Sequence, residues 1–229
     1  MSTVPASLLP TSAHTEGARS EPSSTNGSNH HRVRQSLAYR VRLPLTASCV
    51  LIGIGVATVS RPLISPGSAA GMGILAAGLA LVLMGTALRL WALACISERK
   101  TKDLVTTGPY SLCRNPLYVG TLLIVAGFAA LWLNPVLVLM LLPPIVLYCV
   151  GVVPAEERVL RQTFGVEYET YCRNTTRWMP GFTRYVGASL HWRSAGVLRE
   201  SQSSLWWLGL AALSCWMTFV RESAAWLLF

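Results

Sequence analysis

The sequence predicts an all-α protein: a polytopic membrane bundle of about five transmembrane helices with one further helix on the cytosolic surface. Three observations predict it. Of 229 residues, 52% are apolar and only 13% are charged, a balance that excludes a disordered chain and an ordinary soluble domain. Five apolar runs follow one another along the chain, each of a length that enters or crosses a bilayer. The formal net charge of +9 sits between those runs, where it reads as a topology signal and not as a nucleic-acid surface.

Residues 1–35 are rich in Ser, Thr, Asn, Gly and Pro without apolar periodicity, so a disordered tail is expected. Val4 to Leu9 is too short an apolar core for a secretory signal. His30, His31, Arg32 and Arg34 precede the membrane without a nearby Cys, Asp or further His. Attraction to anionic lipid is the reading there, ahead of a metal site.

A membrane domain is expected over residues 36–180. Its first span is Leu43 to Ser60, flanked by Arg40, Arg42 and Arg61, with Gly53 and Gly55 allowing close helix contact. Ala69 to Ser97 is longer than a bilayer requires, so it tilts or emerges into the cytosol. Arg89 within it must snorkel, pair or line a polar cavity, and a place near the cytoplasmic boundary is expected, with Trp91 as anchor. Gly71, Gly73, Gly78 and Gly85 mark a packing face. The third span is Leu117 to Leu133. After the turn at Asn134-Pro135 comes the fourth, Val136 to Val153, interrupted by Pro143-Pro144. That pair removes two helix hydrogen bonds. It produces either a merely bent helix or a span folded over a site, because irregular backbone at membrane depth survives only inside protein or beside a cavity.

Pro154 to Arg173 reads as the surface helix, with Phe164, Tyr168 and Tyr171 at i, i+4 and i+7 on one aromatic face. Residues 181–229 form a basic connector and an extra C-terminal run, Leu205 to Val220. Lys and Arg alternate between rich and poor loops. The N-terminus, the loop holding Lys100, Lys102 and Arg114, and the segment from Arg158 to Arg199 are therefore expected in the cytosol, and Ser65 outside.

One stretch gathers turn residues, a cation and an apolar run more densely than any other: Leu104 to Gly120, LVTTGPYSLCRNPLYVG. Gly108-Pro109 forces one turn and Asn115-Pro116 a second, with Pro116 suited to the first turn of the helix that follows. A helix N-terminus beside Arg114 suits an anionic group. An interface loop with Tyr110 and Tyr118 as anchors and a snorkelling Arg is the plainer alternative. Glu156 and Glu157 fall in the first turn of the surface helix, where carboxylates also suit the dipole. The six Cys are spread singly; Cys49, Cys149 and Cys215 read as small hydrophobes. Cys113 beside Arg114 is either a thiol of lowered pKa or, as favoured, incidental. Neither a Ser-His-Asp set, an HExxH helix nor a GxGxxG turn after a strand is present.

TTGPY…RNPLYVG, followed after one membrane hairpin by Glu156-Glu157, Phe164-Gly165, Tyr168, Tyr171, Arg177 and Pro180, resembles the isoprenylcysteine carboxyl methyltransferase and phospholipid methyltransferase superfamily of membrane enzymes. The resemblance covers roughly Arg89 to Pro180, and the two blocks in order make it specific. It implies S-adenosyl-L-methionine as cofactor and a lipophilic small molecule, lipid or lipidated protein as methyl acceptor, with membrane lipids as surroundings, no nucleic acid and no metal. It implies cofactor contacts at Lys102, Asp103, Leu104, Val105, Tyr110, Asn115, Pro116, Leu117 and Tyr118. Catalytic roles fall to Arg114, which matches a carboxylate fork, and to Glu156; Glu156 and Glu157 also meet the substrate. Glu157 is expected to serve mainly the helix dipole. Eukaryotic members usually have His where this chain has Asn115, so a hydrogen-bonding role transfers and a titrating one does not. Members commonly end soon after the position of Pro180, so the tail is a departure. A nicotinamide-dependent membrane reductase and a non-catalytic scaffold are the rival classes, and binding of S-adenosylmethionine against NADPH separates them.

Overall fold

A computed structural model describes residues 37–60, 62–96, 103–181, 185–188 and 195–224. The predicted tail, Arg61, Lys100, Lys102 and the connector residues 182–184 and 189–194 lie outside the described residues. Those described form helices and no strand: α1 Leu37–Val59, α2 Ala69–Ile96, the single turn α3 Pro109–Leu112, α4 Pro116–Leu131 and α5 Pro135–Val146. A π-helical turn Leu147–Val152, α6 Val153–Phe164, α7 Val166–Asn174 and α8 Ala195–Ala224 follow.

Among the described residues two helices are long and apolar enough to cross a membrane: Ala69–Ile96 and the continuous run Pro135–Phe164. The other three apolar runs form shorter apolar helices, at Pro44–Val56, Pro116–Leu131 and Ser204–Val220. In α4 the reason is local. Pro116 opens the helix, and the chain leaves it at Leu133, whose φ is 47°, before Asn134 caps α5. Its 16 residues rise about 24 Å, short of a hydrocarbon core of about 30 Å.

The closest helix pair is α2 on α4, and glycines make it possible. A Cβ on Gly85 would stand 2.5 Å from the Gly120 carbonyl, and one on Gly127 2.6 Å from that of Gly78. Each pair is seven residues apart along its own helix, so the two antiparallel helices meet at two glycine contacts one heptad apart. Gly53 likewise faces Leu137 and Met140 of α5, whereas Gly55 and Gly73 meet open space and take no part in the packing.

The C-terminal helix belongs to this bundle. It packs on α2 and α4, with Ala211 fully buried among Leu75, Val82, Leu131 and Leu133. Thr218, also fully buried, donates to the Leu131 carbonyl at 2.8 Å.

Pro143 and Pro144 do not end α5. The helix runs through them to Val146 and then widens into the π-helical turn before α6. Two missing N–H donors have loosened the ladder, and the chain resumes with wider winding, as π turns in helices commonly do beside sites. The expected surface helix Pro154 to Arg173 is two helices. Gly165, at φ 51°, breaks it, a conformation open to Gly at no steric cost. Tyr168 and Tyr171 are buried with ring centroids 6.0 Å apart, while Phe164 ends α6, so the three share no single helix face.

Candidate active site

The stretch Leu104 to Gly120 folds as its turn residues require. Gly108 takes φ 64°, Ser111 Oγ donates to the Gly108 carbonyl at 2.7 Å, and α3 makes one turn. Cys113 is extended, and Asn115 precedes Pro116, the first residue of α4. This loop is held by the second block. The Arg114 N–H donates to the Thr176 carbonyl at 2.8 Å, the Gly181 N–H to the Leu112 carbonyl at 3.0 Å, and Tyr171 Oη to the Tyr110 carbonyl at 2.7 Å. From the connector, Val186 accepts from the Gly108 N–H at 2.7 Å.

Glu157 is the hub between the blocks. It is 2% exposed. Arg177 donates to both its oxygens, Nε at 3.1 Å and Nη2 at 2.5 Å, and Asn115 Nδ2 donates to Oε1 at 3.1 Å. Arg114 Nη1 lies 3.8 Å from the same oxygen and donates to Cys172 Sγ at 2.8 Å. A carboxylate with three charge-assisted or polar donors fixes geometry. Glu157 therefore does more than the helix-dipole service expected of it: it ties α6 to the loop and to Arg177. Glu156, half-buried on the adjacent phase of α6, points elsewhere, since neighbouring helical residues diverge by about 100°.

The remaining predicted residues separate. Val105, Tyr110 and Leu117 gather in one apolar cluster with Ala92 and Cys95. Leu104 is half-buried and Asp103 exposed. Pro116 is fully buried, and Tyr118 on the first turn of α4 packs against Tyr148 with ring centroids 5.9 Å apart. Lys102 lies outside the described residues. Sequence reading assigned no role to Tyr148, Thr121 or Trp178, which with Arg89 line a cavity beside the loop. A lone Tyr within the apolar fourth run was the available signal.

Burial dominates the electrostatics. It pushes the Tyr110 phenol well above its ordinary value, with the charges of Cys95, Cys113 and Glu156 adding to it, and raises Tyr168 and Tyr171 likewise. Burial also raises the Cys113 thiol, the opposite of the lowering that a reactive thiol needs. Tyr110 Oη and Arg114 Nε are buried without a hydrogen-bond partner among the described residues. Orphaned donors of this kind are costly unless something else accepts from them. A phenol and a guanidinium in this state are donors that an anionic group would satisfy. Among the described residues no group of three or more His, Cys, Asp or Glu is arranged to hold a metal.

The phospholipid methyltransferase (PEMT) profile matches residues 74–167, from α2 through the loop to the start of α7. Two curated relatives are similar over most of the chain. The nickel-cobalt-cadmium resistance protein NccN of Alcaligenes xylosoxydans xylosoxydans is 33% identical over 155 residues, 67% of this chain and 72% of the relative. The cobalt-zinc-cadmium resistance protein CzcN of Cupriavidus metallidurans is 36% identical over 142 residues, 61% of this chain and 65% of the relative. No solved structure matches the chain. With both signature blocks present and joined through Glu157, the chain belongs to the phospholipid methyltransferase family.

Proposed function

We propose that the protein is an integral membrane methyltransferase that uses S-adenosylmethionine to methylate a lipophilic acceptor. The observation that carries this reading is the closure of the two signature blocks through the Asn115–Glu157–Arg177 contacts, which leaves Arg114 Nε and Tyr110 Oη as unmet donors in one loop. Arg114 would hold an anionic group of the cofactor, with Tyr110 as a second donor. Val105 and Leu117 supply an apolar wall, and the first turn of α4 from Asn115 to Tyr118 closes the other side.

When bound, S-adenosylmethionine supplies an electrophilic methyl group; the acceptor's lone pair forms the new bond while the carbon–sulfur pair stays on sulfur. The chain's own work is alignment and exclusion of water. Glu157 and Arg177 hold the loop in register. Glu156, whose charge reaches the Tyr110 phenol, holds the acceptor head or takes its proton when the nucleophile is an amine. The three shorter apolar helices complete a five-span bundle with the N-terminus and site in the cytosol. A contribution to metal resistance of the kind named for the two relatives runs, in this reading, through a methylated membrane product.

The test is cofactor binding by purified protein in detergent, with S-adenosylmethionine and NADPH compared. Arg114→Ala should weaken S-adenosylmethionine binding by roughly ten- to hundredfold, for a charge-assisted pair of about 1.5–3 kcal/mol. Lys should restore only part, since a point charge does not reproduce the fork. Unchanged affinity in the Ala variant would make Arg114 an interface anchor, and binding of NADPH alone would make the protein a reductase.

A further inference from the structure

Connector residues 185–188 lie along the loop that carries Tyr110, and Val186 makes the contact through its main chain. Its N–H donates to Ser111 Oγ at 3.0 Å, and its carbonyl accepts from the Gly108 N–H at 2.7 Å. Ser111 Oγ in turn donates to the Gly108 carbonyl at 2.7 Å. One hydroxyl, on a residue 7% exposed, therefore joins connector and loop. Gly108 lets the two approach: a Cβ there would stand 3.1 Å from Ala188 Cβ and 2.8 Å from Cys95 Sγ. Ala188 packs against the cluster of Ala92, Cys95 and Tyr110. Tyr185 meets Trp91 of α2, with ring centroids 6.0 Å apart.

These contacts matter because α3 is only four residues long. A single helical turn does not hold itself together in water, and no side chain caps this one at Gly108. Its shape comes from what flanks it. On one side Tyr171 Oη donates to the Tyr110 carbonyl and the Gly181 N–H to that of Leu112. On the other side stands Val186. The direction of the Tyr110 phenol, whose buried Oη is unmet, follows from that turn. The connector is the looser of the two holds. Tyr185 and Val186 are each 53% exposed, and a Cβ on Gly187 would meet nothing within 4 Å. A cavity of about 510 Å³, with Thr106, Ser111, Tyr171 and Val186 in its lining, adjoins the contact. Water that enters it satisfies the groups the connector leaves, so little-buried segments of this kind open at low cost.

We infer that residues 185–188 are a strap that positions Tyr110, so that the segment beyond Pro180 is a working part of the cofactor site. Ser111 and Val186 are positioning residues: they act through Tyr110, by fixing the turn that aims its phenol. The identity of the ligand rests on the methyltransferase reading; the strap rests on the hydrogen bonds. Because Val186 contributes its backbone, side-chain patterns in the connector carry no trace of the role.

The test is Val186→Pro, which removes the N–H that Ser111 accepts at an exposed residue. Purified full-length protein in detergent is titrated with labelled S-adenosylmethionine. Affinity should fall roughly three- to tenfold, as for the loss of one hydrogen bond. KM for the cofactor should rise by the same factor with kcat unchanged at saturation. Gly187→Ala, in the same segment but with open space, should bind as wild type does. In a Tyr110→Phe background Val186→Pro should cost less than about twofold more, because the strap then has no phenol to aim. A second readout needs no cofactor. Cys95 and Cys113, each 3% exposed, are labelled with a maleimide and located by peptide mass spectrometry. Labelling of both should speed up at least about fivefold in Val186→Pro, without a matching fall in melting midpoint. Wild-type affinity in a folded Val186→Pro protein, or full additivity with Tyr110→Phe, overturns the inference. Should Val186→Pro fail to fold, Ser111→Ala, which removes the same junction, takes its place in every measurement. A wild type that binds no S-adenosylmethionine but labels faster on Val186→Pro sinks the proposed function and leaves the strap's hold on the turn. Cofactor binding with labelling and affinity both unmoved by the variant sinks this inference alone.

Discussion

Glu157→Gln is the perturbation that reaches furthest into the site. The substitution removes the charge and turns one carboxylate oxygen into an N–H donor. Three donors face that group now: Arg177 Nε and Nη2, and Asn115 Nδ2. An amide satisfies at most two of the three and opposes the other. Breaking a fully buried pair costs about 3–5 kcal/mol. Arg177 is 40% exposed on its side chain, so water recovers part of its charge, and about 2 kcal/mol is the expected loss. For a chain of this size that is roughly 4–8 °C in apparent melting midpoint. The assay is thermal unfolding of purified protein in detergent, with Glu157→Gln, Arg177→Ala and the double variant forming a cycle. The expected coupling is at least about 1 kcal/mol. Additive losses, or a Glu157→Gln protein as stable as wild type, would refute the claim that Glu157 joins the two blocks.

Three further outcomes follow from the same geometry. Gly85→Ala should destabilise the bundle strongly, since its Cβ would enter the Gly120 carbonyl, while Gly73→Ala, with open space, should leave the melting midpoint unchanged. Asn115→Ala should lose the contact to Glu157 and weaken cofactor binding measured by equilibrium titration. Asn115→His, which retains a donor, should keep activity; a folded but dead His variant would show that the loop differs from that of relatives with His there. Cysteine labelling from the two sides of the membrane should place Ser65 and Arg173 on opposite faces; labelling from one side would break the five-span arrangement.

Much of the fold was legible because its signals are covalent. Gly108-Pro109 and Asn115-Pro116 set turns where they stand, and both appear in the loop. The glycines of α2 announced a packing face, and Gly78 and Gly85 occupy it. Their partners Gly120 and Gly127 carried the same seven-residue spacing, readable once two helices are compared and not from either alone. The role of Glu157 was less accessible. Which of two adjacent carboxylates faces a loop depends on helical phase, and the π-helical turn at Leu147–Val152 shifts that phase just upstream. An extra residue in a turn rotates everything after it by about 100°. The break at Gly165 was written in the sequence as Phe164-Gly165, yet aromatic periodicity across it suggested continuity. The cavity was invisible for a different reason: its walls come from four helices distant in sequence, and only packing brings Arg89, Tyr118 and Tyr148 to one chamber.

The central claim is methyl transfer from S-adenosylmethionine to a membrane acceptor at this site. It is tested most directly by incubating purified protein, in vesicles of the host's extracted lipid, with cofactor labelled on its methyl group, and counting label in the extracted lipid and protein. Wild type should transfer label with turnover. Glu156→Gln, at matched expression and with an unchanged melting midpoint, should transfer none while still binding the cofactor. Label absent with wild type despite cofactor binding, or undiminished with Glu156→Gln, would contradict the account.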